Sequence, residues 1–153
     1  YRQHRFVPPR FPEEEMIAAP VVILESTKAD QEAKQNMIRV TGAVSDNGAI
    51  KLAVFVSEKA YDESQSTLAY QSSLIVDGVS ECAIPFEELP RRFAIAAYHD
   101  ENNDDDLNRN RLGIPTERYG FSRDARGLSG RPSYKQSVID RPPKGGKLSI
   151  SIR

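Results

Sequence analysis

The sequence predicts an all-β fold, an antiparallel β-sandwich carrying one long irregular loop. Three observations point there: several short segments in which apolar residues recur at every second position, turn residues between them, and little that reads as helix. At 153 residues the chain is long enough for one domain with a real core. Its organisation reads as a Pro-rich linker over residues 1–20 followed by a single β-sandwich domain over residues 21–153.

Each element has its own justification. Pro8-Pro9, Pro12 and Pro20, with Glu13-Glu14-Glu15, deny the first segment helix continuity and ladder hydrogen bonds. Val21-Val22-Ile23-Leu24 is a short run rich in β-branched residues and reads as a first strand, and polar Ala29–Asn36 as a connection or a short helical turn. From Met37 the period becomes two, with Ile38, Val40, Gly42 and Val44 sharing a face. Asp46-Asn47-Gly48 predicts a type I′ hairpin turn, with Ile50, Leu52, Val54 and Val56 alternating on the returning strand. Ser57–Ser64 reads as a helical turn and Leu68–Val76 as a strand ended by Asp77-Gly78. Two more strands are expected around Cys82 and over Phe93–Tyr98. His99 to about Pro132 has no period, and a loop that long in a compact domain is usually functional or metal-held. Pro142-Pro143 and Gly145-Gly146 make a turn before Leu148, Ile150 and Ile152, the last alternating strand.

Composition excludes several classes. The net charge of -1 lacks the basic excess of a general nucleic-acid binder. No apolar run approaches the roughly 20 residues that span a bilayer. The single Cys82 excludes an internal disulfide and a cysteine zinc cage; it shares a face with Ile84 and Phe86 and reads as a core residue. The chain starts at Tyr1, and the expectation is of a leader or membrane anchor upstream and an extracytoplasmic (periplasmic, secreted or cell-surface) location.

The stretch from His99 to Asn110 carries the most chemistry. Asp100, Asn102, Asp104, Asp106 and Asn108 place oxygen-bearing side chains at alternate positions, as a loop wrapped around Ca²⁺ requires. Five acidic residues fall in the seven positions from Asp100 to Asp106, a density of like charge that calls for something positive among them. The segment is not an EF-hand: Asp105 replaces the turn glycine at the sixth position and Arg111 the bidentate Glu at the twelfth. Glu117 is the candidate to complete the shell. The competing reading is a solvated acidic loop neutralised by Arg109, Arg111 or Arg118. Mg²⁺ suits the loop less well, because it prefers one or two carboxylates and several waters.

Two further constellations offer other chemistry. His99, Asp100, Ser122 and Asp124 supply the residue types of a Ser-His-Asp hydrolase, but Ser122 sits in Gly-Phe-Ser-Arg-Asp and not in a Gly-x-Ser-x-Gly elbow; no catalytic residue is expected. Tyr98, Tyr119, Phe121 and Tyr134 would serve as a platform for sugar rings, or would pin the long loop to the sandwich as a satellite core, the preferred reading.

Three stretches carry a resemblance. Phe93–Asn102 ends a strand in His-Asp-Glu-Asn, Leu112–Ser122 reads Leu-Gly-Ile-Pro-Thr-Glu-Arg-Tyr-Gly-Phe-Ser, and Gly130–Tyr134 reads Gly-Arg-Pro-Ser-Tyr. In this order they resemble a family of exported bacterial domains of unknown function, DUF2141, over about Gly42 to Ile152. The resemblance implies a sandwich of seven or eight strands of the transthyretin or carboxypeptidase-regulatory type, within the broader transthyretin/immunoglobulin-like class of antiparallel sandwiches, and implies no activity. The chain departs from the family pattern at Asp104-Asp105, where the family tends to Asn-Gly, at Asn108, where it tends to Asp, and at Arg91-Arg92, where a Gly is expected. Together these readings predict a non-catalytic interaction module whose acidic loop binds Ca²⁺, with a protein or glycan partner.

Overall fold

A computed structural model describes residues 36–128 and 130–153. The expected linker over residues 1–20, the Val21–Leu24 strand and the connection up to residue 35 lie outside the described residues. The remainder forms eight strands: β1 (Asn36–Thr41), β2 (Ala49–Phe55), β3 (Leu68–Ser72), β4 (Val79–Ile84), β5 (Arg92–Asp100), β6 (Tyr119–Phe121), β7 (Ile139–Asp140) and β8 (Lys147–Ser151). Two short helices, α1 (Glu58–Asp62) and α2 (Tyr134–Ser137), complete the regular structure with two 3-10 turns. The Ser57 side chain accepts the Ala60 N–H to start α1, and Ser133 with Gln136 forms a capping box on α2.

The strands make two sheets, ordered β4-β1-β8 and β3-β2-β5-β6, with β7 pairing to β5. They face each other across one core. Ile38, Val40, Ile84 and Ile150 come from the first sheet, and Ile50, Leu52, Val54, Phe93, Ile95 and Ala97 from the second. Cys82 packs against this core and burial pushes its thiol up to about 11, which fits an unreactive side chain.

Two details differ from the expectation. The hairpin across Asp46-Asn47-Gly48 does not form: β1 pairs with β4 and β8, whereas β2 pairs with β3 and β5 in the opposite sheet. A type I′ turn needs positive φ at both central residues, and here Gly48 has it (φ 73) while Asn47 does not. Both strands carry a fully apolar face, and an arch between the sheets lets those faces cover one another. The second difference is that β1 and β8 run parallel, from Met37↔Lys147 to Thr41↔Ser151, in an otherwise antiparallel fold.

Gly48 also fixes where the arch meets β5. A Cβ there would run into the carbonyl oxygen of Asp100 and the backbone of Glu101, and the φ of 73° already disfavours any L side chain. Gly48→Ala should lower the unfolding free energy by about 2 kcal/mol in urea titration; an unchanged midpoint would show that this close approach is not needed.

Every residue of β2 is buried, and all of β5 beyond Arg92. A sheet covered on one face by its partner would not look like that. The outer face is covered by the chain's own irregular segment. Ala53, Phe55, Ala94, Ala96 and Tyr98 point outward into a second core completed by Tyr61, Leu107 and Phe121, with Tyr119 and Tyr134 against it. The four aromatic residues therefore build the expected satellite core: the Phe121 and Tyr134 rings lie edge-on or tilted against Tyr61, and Tyr119 lies edge-on to Phe121.

Candidate metal centre

The site begins at the last residue of β5. Asp100 pairs with Ala49 across the ladder and its side chain is fully buried. Beyond it Asn103 (φ 56) and Asp105 (φ 61) take the left-handed conformation, which Asn and Asp tolerate better than most residues. The loop thereby curls back on Asp100, whose Oδ1 accepts the Asp104 N–H at 3.1 Å and whose Oδ2 accepts the Asp105 N–H at 3.0 Å.

Asp104 is the second centre of the loop. Its Oδ2 accepts the side-chain amides of Asn102 (2.9 Å) and Asn108 (2.7 Å), and its Oδ1 accepts the Asp106 N–H at 3.0 Å. Leu107 anchors the turn in the second core. The chain then makes a small hairpin, with an Arg109–Pro115 bridge and Thr116 N–H donating to Asn108 O, which returns Glu117 to the start of the loop. Glu117 spans it: Oε1 accepts the Glu101 N–H and Oε2 the Asn108 N–H, each at 3.1 Å.

One carboxylate oxygen from each of Asp100, Asp104 and Glu117 lies within 4.8 Å of the others. Of the six residues expected in the site, these three converge. Asn102 and Asn108 adjoin them, but point Nδ2 at Asp104, so their carbonyl oxygens would have to turn inward to serve a cation. The Asp106 carboxylate stands outside the three-residue group.

The electrostatics are uneven. Burial pushes the Asp100 and Glu117 carboxyls above the usual range, outweighing the backbone N–H groups they accept, whereas the Asn108 amide first and other donors hold Asp104 below it. Tyr98, beneath the loop, is raised by burial and then by the charges of Asp100 and Asp105. For Asp100 and Glu117 the folded state binds protons more tightly than the unfolded chain, so their contribution to stability is lost as the pH rises through their raised folded values. Asp104 has the opposite sign: its contribution is present above the unfolded value of 3.8 and lost as the pH falls through the lowered folded value. Burial thus penalises the charged forms of Asp100 and Glu117, and a cation among the carboxylates would offset that cost.

The neutralising cation differs from those expected. Arg109 Nη1 donates to Gly113 O and Arg118 Nη1 to Gly42 O, each bracing a turn, and among the described residues none of Arg109, Arg111 and Arg118 forms a salt bridge with the loop. Lys51 does so instead. Its side chain is 3% exposed, and Nζ lies 2.6 Å from Asp105 Oδ1, 2.6 Å from Gln71 Oε1 and 3.9 Å from Asp100 Oδ2. Strand periodicity assigns Lys51 to the solvent face. Only the folding of the loop over that face shows it to be interior.

The hydrolase constellation does not assemble. His99 Nε2 donates to Asn47 O at 2.6 Å and the His99 N–H to Arg118 O, so this residue ties the end of β5 to the arch before β2 and to the segment entering β6. Ser122 Oγ instead donates to Ser137 O and accepts the Ile95 N–H, and Asp124 Oδ1 accepts the Ser151 N–H.

Among the described residues no helix is long and apolar enough to cross a membrane. Comparison with known proteins finds that residues 38–149 match the family model described as an uncharacterized protein conserved in bacteria, DUF2141. No curated protein and no solved structure matches the chain.

Proposed function

This chain belongs to the DUF2141 family, and we propose that it is a non-catalytic, extracytoplasmic β-sandwich interaction module whose acidic loop binds Ca²⁺ and is ordered by it. The observation that carries this reading is the convergence of Asp100, Asp104 and Glu117 on one spot, although Glu117 is separated from the loop by its own hairpin. Three carboxylates at that spacing repel one another, and a hard divalent cation with oxygen ligands is the chemistry that reconciles them. Asp100, Asp104 and Glu117 would supply charge. Asn102 and Asn108 would add amide oxygens after a side-chain turn, and Asp106 would contribute from the loop's outer edge.

The location belongs to the same reading. Asp104 is exposed and part of the loop's charge is already neutralised by Lys51, features of a weak site. Extracellular modules bind Ca²⁺ with Kd of about 10⁻⁴–10⁻³ M, concentrations foreign to cytosolic sensors. The rim made by this loop and its neighbouring hairpin is the surface on offer to a protein or glycan.

Calorimetry on protein stripped with EDTA tests the proposal. Ca²⁺ should give a saturable heat, and at about 20 times Kd should add about 2 kcal/mol of stability by mass action. Glu117→Gln and the paired Asp104→Ala/Asp106→Ala variant should lose both effects while keeping the β-sheet circular dichroism. No heat and no melting shift in the unaltered protein would remove the metal from the account.

A further inference from the structure

Lys51 is a buried cation on a β-strand, and its ammonium reaches into the inner half of the acidic loop. Its contacts share a design. Asp105 Oδ1 at 2.6 Å comes from the loop, Gln71 Oε1 at 2.6 Å from β3, and Asp100 Oδ2 at 3.9 Å from β5. Asp105 and Asp100 are themselves joined, because the Asp105 N–H donates to the same Asp100 Oδ2. One ammonium therefore holds both ends of the curl that begins at Asp100.

The backbone of Asp105 supports the same conclusion. It sits at φ 61, where the EF-hand loop uses glycine. A side chain there costs backbone energy, and this one reaches back to Lys51.

We propose that Lys51 is a resident counter-charge: it orders the Asp100–Asp105 curl without any metal, and it competes with a divalent cation for those carboxylates. Its first half stands on the contacts above. Its second half rests on the Ca²⁺ reading of the site. A fixed positive charge beside a cation site weakens binding by Coulomb repulsion, and makes loop order less dependent on metal.

Lys51→Met keeps an unbranched stem as far as Cε and removes the ammonium with its charge. Asp105→Asn removes the negative charge of the pair from the loop side at a residue 59% exposed, where the fold is not in question. In EDTA, hydrogen exchange of the Asp104 and Asp105 amides should accelerate at least about tenfold in both variants relative to the unaltered protein. In CaCl₂ titrations Lys51→Met should bind about tenfold more tightly than the unaltered protein, with Ca²⁺ restoring the slow exchange. Should exchange stay unchanged in both variants, the counter-charge role is overturned, whatever Ca²⁺ does. Faster exchange with no Ca²⁺ heat in any variant supports Lys51 as the loop's own cation and overturns the competition together with the Ca²⁺ reading. Equal Ca²⁺ affinity in Lys51→Met and the unaltered protein overturns the competition alone and leaves the Ca²⁺ site standing.

Discussion

Replacing Asp100 with alanine is expected to lower the unfolding free energy by about 3 kcal/mol and to abolish any cation binding by the loop. Both oxygens of this fully buried carboxylate are engaged, one with the Asp104 N–H and one with the Asp105 N–H. Alanine leaves those two donors without their partner and strips Lys51 of one of its two carboxylate neighbours. An unsatisfied buried donor costs about 1–3 kcal/mol, and a buried charge robbed of a counter-charge adds to that. Asp100→Asn separates the two effects. It keeps an acceptor for one of the N–H groups, so it should recover about half of the loss while still failing to bind a cation. Urea unfolding of both variants beside a Ca²⁺ titration makes the comparison. If Asp100→Ala matched the unaltered protein in stability, the curl of the loop would not depend on this carboxylate, and the site would lose its foundation.

The sequence and the structure agree where the physics is local. β1, β2, β5 and β8 each bury one alternating apolar face, because a pleated strand presents every second side chain to the same side. Alternation says which residues share a face and is silent on which strand lies alongside. For that reason the turn signal at Asp46-Asn47-Gly48 suggested neighbours in one sheet, whereas the chain arches into the other. Glu117 was legible as a partner of the loop because the loop's own residues leave the oxygen shell short. The role of Lys51 was not. A charged residue at the polar phase of a strand ordinarily faces water, and nothing within ten residues of it reveals that the segment after β5 will roof that face. Sequence separation between Lys51 and Asp105 hides the pair, and a scan for opposite charges near the loop finds Arg109, Arg111 and Arg118 first.

Tyr61→Ala should have the largest effect of any single change, about 4 kcal/mol, and it should loosen the loop that carries the candidate site without touching it. Tyr61 is where the second core is joined. Its ring lies against Phe55 (5.3 Å between centroids), Tyr134 (5.8 Å) and Phe121 (6.2 Å), and the Arg131 guanidinium sits 3.9 Å above it. Its hydroxyl donates to Pro132 O at 2.6 Å, and its own carbonyl accepts from Arg131 Nη2. Removal leaves a cavity bordered by three aromatic rings and strands a guanidinium that the ring now covers. Tyr61→Phe keeps the ring and loses only the hydroxyl bond, about 1 kcal/mol. The loss should also be local in its first stage, because the inter-sheet core of Ile38, Leu52, Ile84 and Phe93 contains no residue of the second cluster. Hydrogen exchange at low denaturant should then show amides of residues 101–128 opening before those of β1 and β4. Leu107 and Tyr98 belong to the cluster that Tyr61 joins, so the order of the Asp100–Asp106 curl depends on a residue that contacts none of its carboxylates. A uniform loss of protection across both cores would show instead that the roof and the sandwich fold as one cooperative unit, and the loop would then draw its order from the whole sandwich and not from this aromatic joint.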